Sequence, residues 1–328
     1  MKKFLTTITL SLVFLSGTVL AQNDPVKMIS NTCKGEKSTC EGEIKWQNGQ
    51  VYTGLIVKGL PQGKGIMNWT DGSLYEGNFS NGLREGFGVF THSNGNKFEG
   101  EWVKDQVGSQ GTMYYPNGDE YVGEFKNGRR HGMGVYLATN GENYNGQWIK
   151  GVESGTGTYT YSDGSYFMGT VAEGVKEGPG MVVWPEGDTL KTTWKDGLVD
   201  GLSTYFFTNG DQLQTKWRNG NLSVKSTYIF SNGEQIKGSL NNLRSKVAVI
   251  VDDMASVESN FQTTFMGIAM EMKHNQDYSL SKEFMLAAMD LADPIDGNQG
   301  MIAQEIQMVD QAMKERGYAK LPEKKKKN

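Results

Sequence analysis

The sequence has few of the residues on which enzymes and metalloproteins most often depend. Its 328 residues include two cysteines and only three histidines, His92, His131 and His274. No Gly-x-Ser-x-Gly elbow is present. The segment Gly59–Gly65 is one residue too short for a P-loop and lacks the following Ser or Thr. We therefore expect no catalytic residue, no cofactor and no metal site.

Proline is also scarce, with seven residues, whereas glycine is abundant, with 43. Because soluble proteins contain about 7% glycine, this excess needs a structural reason. Glycine does not recur at every third position, which excludes collagen. Seven Trp, 14 Tyr and 14 Phe exclude a disordered Gly-rich linker, which lacks aromatic residues. The composition is therefore that of a chain that folds.

Residues 1–21 have the three parts of a secretory signal. Lys2 and Lys3 carry positive charge, residues 4–15 are mostly apolar, and Val19-Leu20-Ala21 supplies the small residues of a cleavage site. The apolar run is too short to span a membrane comfortably, and no cysteine follows it to carry a lipid anchor. We expect an exported protein, periplasmic or extracellular, whose mature chain starts at Gln22.

Cys33 and Cys40 are separated by six residues. In an exported chain, two cysteines so close together favour a local disulfide. A metal site would need further ligands nearby, and no histidine lies close. We expect residues 22–41 to form an N-terminal cap, in which the disulfide closes a loop at the first edge of the fold.

A constant spacing of 23 residues separates nine glycines, each of which follows Asn, Asp or Glu. Asn-Gly and Asp-Gly favour turns because both residues tolerate positive φ. Large apolar residues stand three and seven positions after the glycine, and in most units another glycine stands five after it, which is one face of a strand. A second turn and a Gly-x-Gly strand complete a β-hairpin in each unit. The nine glycines are Gly49, Gly72, Gly95, Gly118, Gly141, Gly164, Gly187, Gly210 and Gly233.

These units resemble MORN repeats, and together with the leader the chain is similar to a bacterial exported MORN-repeat protein. The clearest units contain Tyr75-Glu76-Gly77-Asn78-Phe79 followed by Asn81-Gly82, and Tyr121-Val122-Gly123-Glu124-Phe125 followed by Asn127-Gly128. We expect a mainly β fold, in which residues 42–243 form one long antiparallel β-hairpin solenoid. The resemblance implies partner binding or scaffolding, and in some members membrane association.

Some units depart from this pattern. Asp105 and Ser109 replace two glycines, so the hairpin turn of the third unit is expected to differ. Thr192 and Thr215 replace the strand glycine in late units. The outer face of the late units is apolar, whereas early units mostly place polar residues at the matching positions. The late residues are Met181, Val183, Phe206 and Ile229, and the early ones are Asn68, Thr91, Thr112 and Thr158.

Residues 244–317 lose the glycine pattern and predict an α-helical region. Apolar residues have helical spacing from Ile250 to Met272, from Leu280 to Leu291 and from Ile302 to Met313. We expect these helices to cover the face formed by Met181, Val183, Phe206 and Ile229, because a bare apolar patch of that kind is unusual in a soluble monomer. A coiled coil with a second copy is the alternative. Residues 318–328 form a basic, flexible tail.

The mature chain would carry 31 basic and 37 acidic residues, so nucleic acid is not an expected partner. The patterns favour a non-catalytic binding or scaffolding surface for a protein partner in the cell envelope. One alternative is a peripheral membrane protein that binds anionic lipid or envelope polymer through Lys324 to Lys327; an enzyme of unrecognised type is another. The candidate binding residues are Arg129, Arg130 and His131, a basic cluster at one turn that could equally be ordinary solvated residues.

Overall fold

The repeated spacing produces a sheet of antiparallel hairpins. The computed structural model describes residues 28–33, 38–222, 225–239 and 298–315, together with Met266 and Met285. In this part of the chain, 21 strands belong to one sheet, and the helix α1 (Asn298–Glu315) follows them. The mainly β fold with a C-terminal helix is therefore confirmed. The predicted leader, the basic tail and most of the first two predicted helices lie outside the described residues.

The chain divides into two compact units. In the N-terminal unit, consecutive strands from β1 to β12 pair in antiparallel fashion. Strand β13 (Tyr166–Ala172) contributes its first residues to the C-terminal unit and its last residues to the N-terminal unit. The strands of the N-terminal unit are β1 (Met28–Asn31), β2 (Thr39–Trp46), β3 (Val51–Val57), β4 (Leu60–Asn68), β5 (Leu74–Ser80), β6 (Leu83–Thr91), β7 (Lys97–Val103), β8 (Gln106–Tyr114), β9 (Glu120–Lys126), β10 (Arg129–Leu137), β11 (Asn143–Ile149) and β12 (Val152–Thr160).

The C-terminal unit contains the remaining strands and α1. Two of its strands are only two residues long, so β15 pairs with both β16 and β17, and β18 pairs with β19 and β20. Its strands are β14 (Val175–Val183), β15 (Thr189–Lys195), β16 (Leu198–Val199), β17 (Gly201–Phe206), β18 (Gln212–Arg218), β19 (Asn221–Leu222), β20 (Ser226–Ile229) and β21 (Gln235–Gly238).

Two-residue turns connect the strands within each repeat. In the β5–β6 turn, Asn81 and Gly82 have φ values of 49° and 85°, the left-handed pair of a type I′ turn. Lys104 and Asp105 have φ values of 46° and 68°, so the third unit keeps this turn and the prediction of a different one is wrong. Aspartate tolerates the left-handed region better than most residues, and Asp105 is also held by a neighbouring arginine.

Aromatic rings lying across strand glycines form the core on one side of the sheet, which we name the aromatic face. Tyr75 is fully buried, and its hydroxyl donates to the carbonyl oxygen of Asn78 at 3.1 Å. A Cβ atom placed on Gly77 would lie 2.7 Å from Tyr75 Cζ, and one on Gly88 would lie 2.5 Å from it. The glycines therefore leave the space that the ring fills, so a single sheet layer can bury it.

In one repeat of the C-terminal unit, the aromatic residue and the two strand glycines beneath it are all replaced by other residues. Leu190 stands where earlier repeats have Tyr or Phe, and Thr192 and Ser203 stand where they have glycine. All three residues are buried, and the two hydroxyls form a hydrogen bond with each other. Because leucine does not extend across the strand, the freed space accommodates two small side chains whose polar atoms satisfy one another.

In the N-terminal unit, β1 adds a strand beside the first repeat strand. Cys33 and Cys40 form a disulfide whose Cα atoms are 6.0 Å apart, within the range usual for this bond. The backbone N–H of Glu43 donates to Thr32 Oγ1 at 2.8 Å, which continues the contact between the two strands. The disulfide therefore links the residues that follow β1 to strand β2.

Candidate functional site

The face opposite to the aromatic face, which we name the outer face, presents one exposed residue from each Gly-x-Gly segment. The exposed fractions reach 55% for Phe87, 51% for Met133 and 64% for Leu202. We name these positions the outer row. In the N-terminal unit the outer row comprises Lys64, Phe87, Gln110, Met133 and Thr156, and in the C-terminal unit it comprises Pro179 and Leu202, all of them exposed.

Side chains of the preceding strand hold this row in place. In the N-terminal unit, a bulge shifts the pairing register within each repeat hairpin from β3 to β12, and it leaves backbone N–H and C=O groups without a partner on the neighbouring strand. Asn78 Nδ2 donates to the carbonyl oxygen of Phe87 at 2.9 Å, and Glu124 Oε1 accepts from the N–H of Met133 at 2.8 Å. The exposed side chains therefore project from a backbone that is fixed by local hydrogen bonds.

The rest of the early outer face is less polar than the sequence led us to expect. Ile66, Val122 and Leu137 are exposed by 37%, 41% and 41%. Cross-strand pairing places Ile66 beside Glu76, and the N-terminal unit mixes apolar and acidic residues in this way across its width. The positions of Asn68, Thr91, Thr112 and Thr158 are therefore not polar in every early repeat, because Ile66 stands at the repeat position of Thr112 and Leu137 at that of Thr91.

The four predicted docking residues are half-buried and lie on the outer face of the C-terminal unit. Val183 pairs with Thr189, which pairs with Phe206. Through Gln212, Phe206 is aligned with Ile229. The remaining residue, Met181, stands one row away, opposite Lys191, whose Nζ lies 5.0 Å above the Phe206 ring. Most of the segment predicted to cover them lies outside the described residues, so the docking stays a prediction.

The basic cluster does not present one surface. Arg130 points to the aromatic face, where its Cζ lies 4.1 Å from the centre of the Trp148 ring and its Nη2 donates to the carbonyl oxygen of Gly151 at 2.8 Å. Arg129 is exposed beside the turn, and His131 is half-buried. Of the three candidate residues, Arg129 is thus the exposed one, whereas Arg130 is packed against rings.

Similar cations occupy the aromatic face at every second repeat. Arg84, Arg130 and Lys176 are 46 residues apart, and Arg84 Cζ lies 4.1 Å from the Trp102 ring centre. Lys176 Nζ lies 4.9 Å from the Phe167 ring centre, so all three positions make cation–π contacts. Sequence reasoning missed this feature. Its signal is a basic residue placed two positions after the second turn glycine in alternate repeats.

A charged hydrogen-bond network surrounds the first of these cations. Asp105 Oδ1 accepts from Arg84 Nε at 3.0 Å and from the Arg84 backbone N–H at 2.9 Å. Burial lowers the pKa of Arg84, and the charge of Asp105 together with its hydrogen bond opposes that shift. Asp105 thus supplies both the turn conformation and the counter-charge, which is why it stands where other repeats have glycine.

Buried carboxylates that follow the turn glycine connect successive repeats. Asp119 accepts hydrogen bonds from the Tyr136 hydroxyl at 2.5 Å and from the Thr139 N–H at 3.0 Å. Burial alone would raise the pKa of Asp119, but these hydrogen bonds outweigh it and hold the pKa below its usual value. Asp211 makes equivalent bonds to Tyr228 and Ser231. These acids tie the sheet together, which accounts for their burial without a catalytic role.

In the part of the chain that the structure describes, no cluster of three or more His, Cys, Asp or Glu residues is positioned to hold a metal ion. No helix among the described residues combines the length and apolar character needed to cross a membrane.

Comparison with known proteins identifies the repeat family. One similar solved structure is the SAS-4 (dCPAP) TCP domain in complex with a proline-rich motif of Ana2 (dSTIL) of Drosophila melanogaster, at 17% identity and a TM-score of 0.33, over 54% of this chain and 89% of that chain. No curated protein matches the chain. The MORN repeat family model matches residues 52–74, 75–97, 98–120, 121–142, 144–166 and 167–189. The chain therefore carries six MORN repeats, a non-catalytic module that generally serves binding and scaffolding.

Proposed function

We propose that this chain is an exported, non-catalytic scaffold that binds a protein partner in the cell envelope through its outer row. The observation that carries the proposal is the contrast between a constant backbone and variable exposed side chains. At one position of the repeat, the N-terminal unit presents Lys64, Phe87, Gln110, Met133 and Thr156, all exposed. Repeat proteins commonly bind partners through such positions, because the array fixes the spacing while each side chain is free to vary.

The energetics of the row suit a protein partner. Burying a side chain the size of Phe87 or Met133 contributes about 1.5–3 kcal/mol, and large apolar and aromatic residues often dominate binding energy. Glu101 is paired directly opposite Phe87 across the strands, and Glu124 bonds to the backbone of Met133. A partner with apolar residues flanked by basic ones would complement this surface.

Export is supported by the leader pattern of residues 1–21 and by the disulfide between Cys33 and Cys40, since disulfides persist in oxidising compartments. Mass spectrometry of the protein from its native host checks this part. We expect a chain that starts at Gln22 and carries an oxidised cysteine pair. A mature protein that retains Met1 would contradict export by cleavage.

The binding surface is tested by Phe87→Ser combined with Met133→Ser. The matched control is Val103→Ser combined with Ile149→Ser, because these two residues are each 51% exposed but lie outside the outer row. A partner captured from the host envelope by the wild-type protein is purified, and its affinity for each variant is measured by calorimetry. We expect the row variant to weaken binding at least about tenfold, equivalent to ~1.4 kcal/mol, and the control to change it little. Equal affinity of all three proteins would contradict the outer row as the binding site.

A further inference from the structure

Arg84 and Arg130 are equivalent residues of two repeats, and their surroundings match closely. Each guanidinium lies 4.1 Å from a tryptophan ring centre, Trp102 in one case and Trp148 in the other. Arg84 Nη2 donates to the carbonyl oxygen of turn residue Asp105 at 2.9 Å, and Arg130 Nη2 donates to that of Gly151 at 2.8 Å. Each site therefore consists of an arginine, a tryptophan ring against it and a turn carbonyl oxygen that accepts its hydrogen bond.

The Arg84 and Arg130 sites differ in one hydrogen-bond acceptor, the side-chain carboxylate of the turn residue. The Asp105 carboxylate accepts from both the backbone N–H and Nε of Arg84, whereas Gly151 has no side chain to offer. Arg130 Nε is covered and has no hydrogen-bond acceptor among the described residues. A Cβ atom built on Gly151 would meet no heavy atom within 4 Å, so space is open at the position from which Asp105 reaches Arg84.

Acidic residues near Arg130 do not take that place. Glu153 stands at the equivalent position of the next repeat, and the positive charge of Arg130 acts to lower its pKa. The two side chains nevertheless form no ion pair within 4 Å in the described part of the chain. Burial raises the pKa of Glu153, which disfavours its charged form. Asp119, the other acid in this region, already accepts from Tyr136 and Thr139.

We propose that Arg130 binds a carboxylate on the aromatic face, an Asp or Glu side chain of a binding partner that reaches this face, enters beside Gly151 and takes the place that Asp105 holds at Arg84. This inference rests on the proposed function for the identity of the ligand, although the site itself can be tested without a partner. A charged acceptor suits the guanidinium because a charge-assisted bond is roughly twice as strong as a neutral one.

The site is tested with two peptide probes, acetyl-Gly-Asp-Gly amide and its Asn counterpart, at constant ionic strength. The readout is the side-chain Nε–H signal of Arg130 in a nitrogen-15 spectrum, assigned by its loss in Arg130→Lys. We expect a saturable shift of this signal with the Asp probe and about tenfold weaker binding, or none, with the Asn probe. Sodium acetate serves as a third probe and separates a site for any free carboxylate from one that prefers a peptide side chain.

Gly151→Asp provides the decisive variant, because it supplies the missing carboxylate within the chain. Gly151→Asn is its matched control, since both residues tolerate the left-handed backbone of this turn, where φ is 92°. We expect Gly151→Asp to be more stable than Gly151→Asn and to lose its response to the Asp probe, while Gly151→Asn keeps it. If the Asp probe shifts the Arg130 signal equally in both variants, or shifts it in no protein, the carboxylate site is wrong. That outcome leaves the scaffold proposal standing, because the scaffold proposal depends on the outer row.

Discussion

At the scale of single residues, the tyrosine that stands three positions after a turn glycine is coupled to the two strand glycines beneath its ring. The chain contains both solutions, Tyr75 with Gly77 and Gly88, and Leu190 with Thr192 and Ser203. Sequence reasoning identified the glycines as space for a ring. It did not predict that the departures in late repeats are compensated, because the compensating residues lie on different strands and meet only after the sheet has formed.

A double-mutant cycle on Tyr75→Leu and Gly88→Ser measures this coupling. Gly88→Ser alone is expected to lower the free energy of unfolding by about 1–3 kcal/mol, because the new Cβ would lie 2.5 Å from Tyr75 Cζ. In the Tyr75→Leu background the same change is expected to cost much less, giving a coupling energy of about 0.5–3 kcal/mol. Urea unfolding of the four proteins provides the numbers. Additive effects would show that the ring and the glycine are independent.

Glu153 makes stability depend on pH. Burial raises the pKa of Glu153 in the folded protein, and its own backbone hydrogen bond and the charge of Arg130 only partly oppose this. The folded state therefore holds a proton that the unfolded state has released, so stability falls as pH rises from the usual glutamate pKa through the raised one. Compared with the wild type, Glu153→Gln is expected to be more stable above this window. The gain should diminish as pH falls below the usual pKa. Thermal unfolding across pH 3–8 checks this, and a pH-independent difference would contradict it.

At the scale of secondary-structure elements, local patterns were sufficient to predict the hairpins. Turn glycines and alternating apolar residues act over a few neighbours, so their spacing indicated strands and turns directly. The third turn was mispredicted because Asp105 is stabilised by Arg84, which belongs to the preceding repeat. The prediction that Arg129, Arg130 and His131 form one surface cluster failed for a related reason. Neighbouring residues of a strand point to opposite faces, and Arg130 points to the aromatic face.

The Asp105 turn yields a prediction of its own. Asp105→Asn keeps a residue that tolerates positive φ but removes the charge facing Arg84, whose side chain is only 6% exposed. Loss of a hydrogen bond to a charged group typically costs about 1.5–3 kcal/mol, and we expect a decrease of that size in the free energy of unfolding. Asp196→Asn is the control, because Asp196 is an exposed turn residue with φ of 51°. Equal, small effects in both variants would remove the structural role assigned to the Arg84–Asp105 pair.

At the scale of the whole chain, the open question is what covers the outer face of the C-terminal unit. Met181, Val183, Phe206 and Ile229 are only half-buried by the described residues around them. Helix α1, in contrast, has a buried apolar face. Ile302 and Val309 are 3% and 0% exposed and stand seven residues apart on that face. Spacing in the sequence predicted this helix, but spacing alone does not reveal which surface it meets.

We predict that the helical region, residues 244–317, docks on that outer face, and Phe206→Lys combined with Ile229→Lys tests this in the full-length protein. If the face is covered, each charge disrupts a contact worth about 1.5–3 kcal/mol, so stability falls. Hydrogen exchange within residues 244–317 then increases as well. Leu202→Lys is the control, because Leu202 is 64% exposed on the same face and should tolerate the charge with a change below about 0.5 kcal/mol. Light scattering separates the rival in which a second copy covers the face, since the double variant would then dissociate a wild-type dimer. A monomer whose stability and exchange match the Leu202→Lys control would show that this face is free, and that the C-terminal segment packs elsewhere.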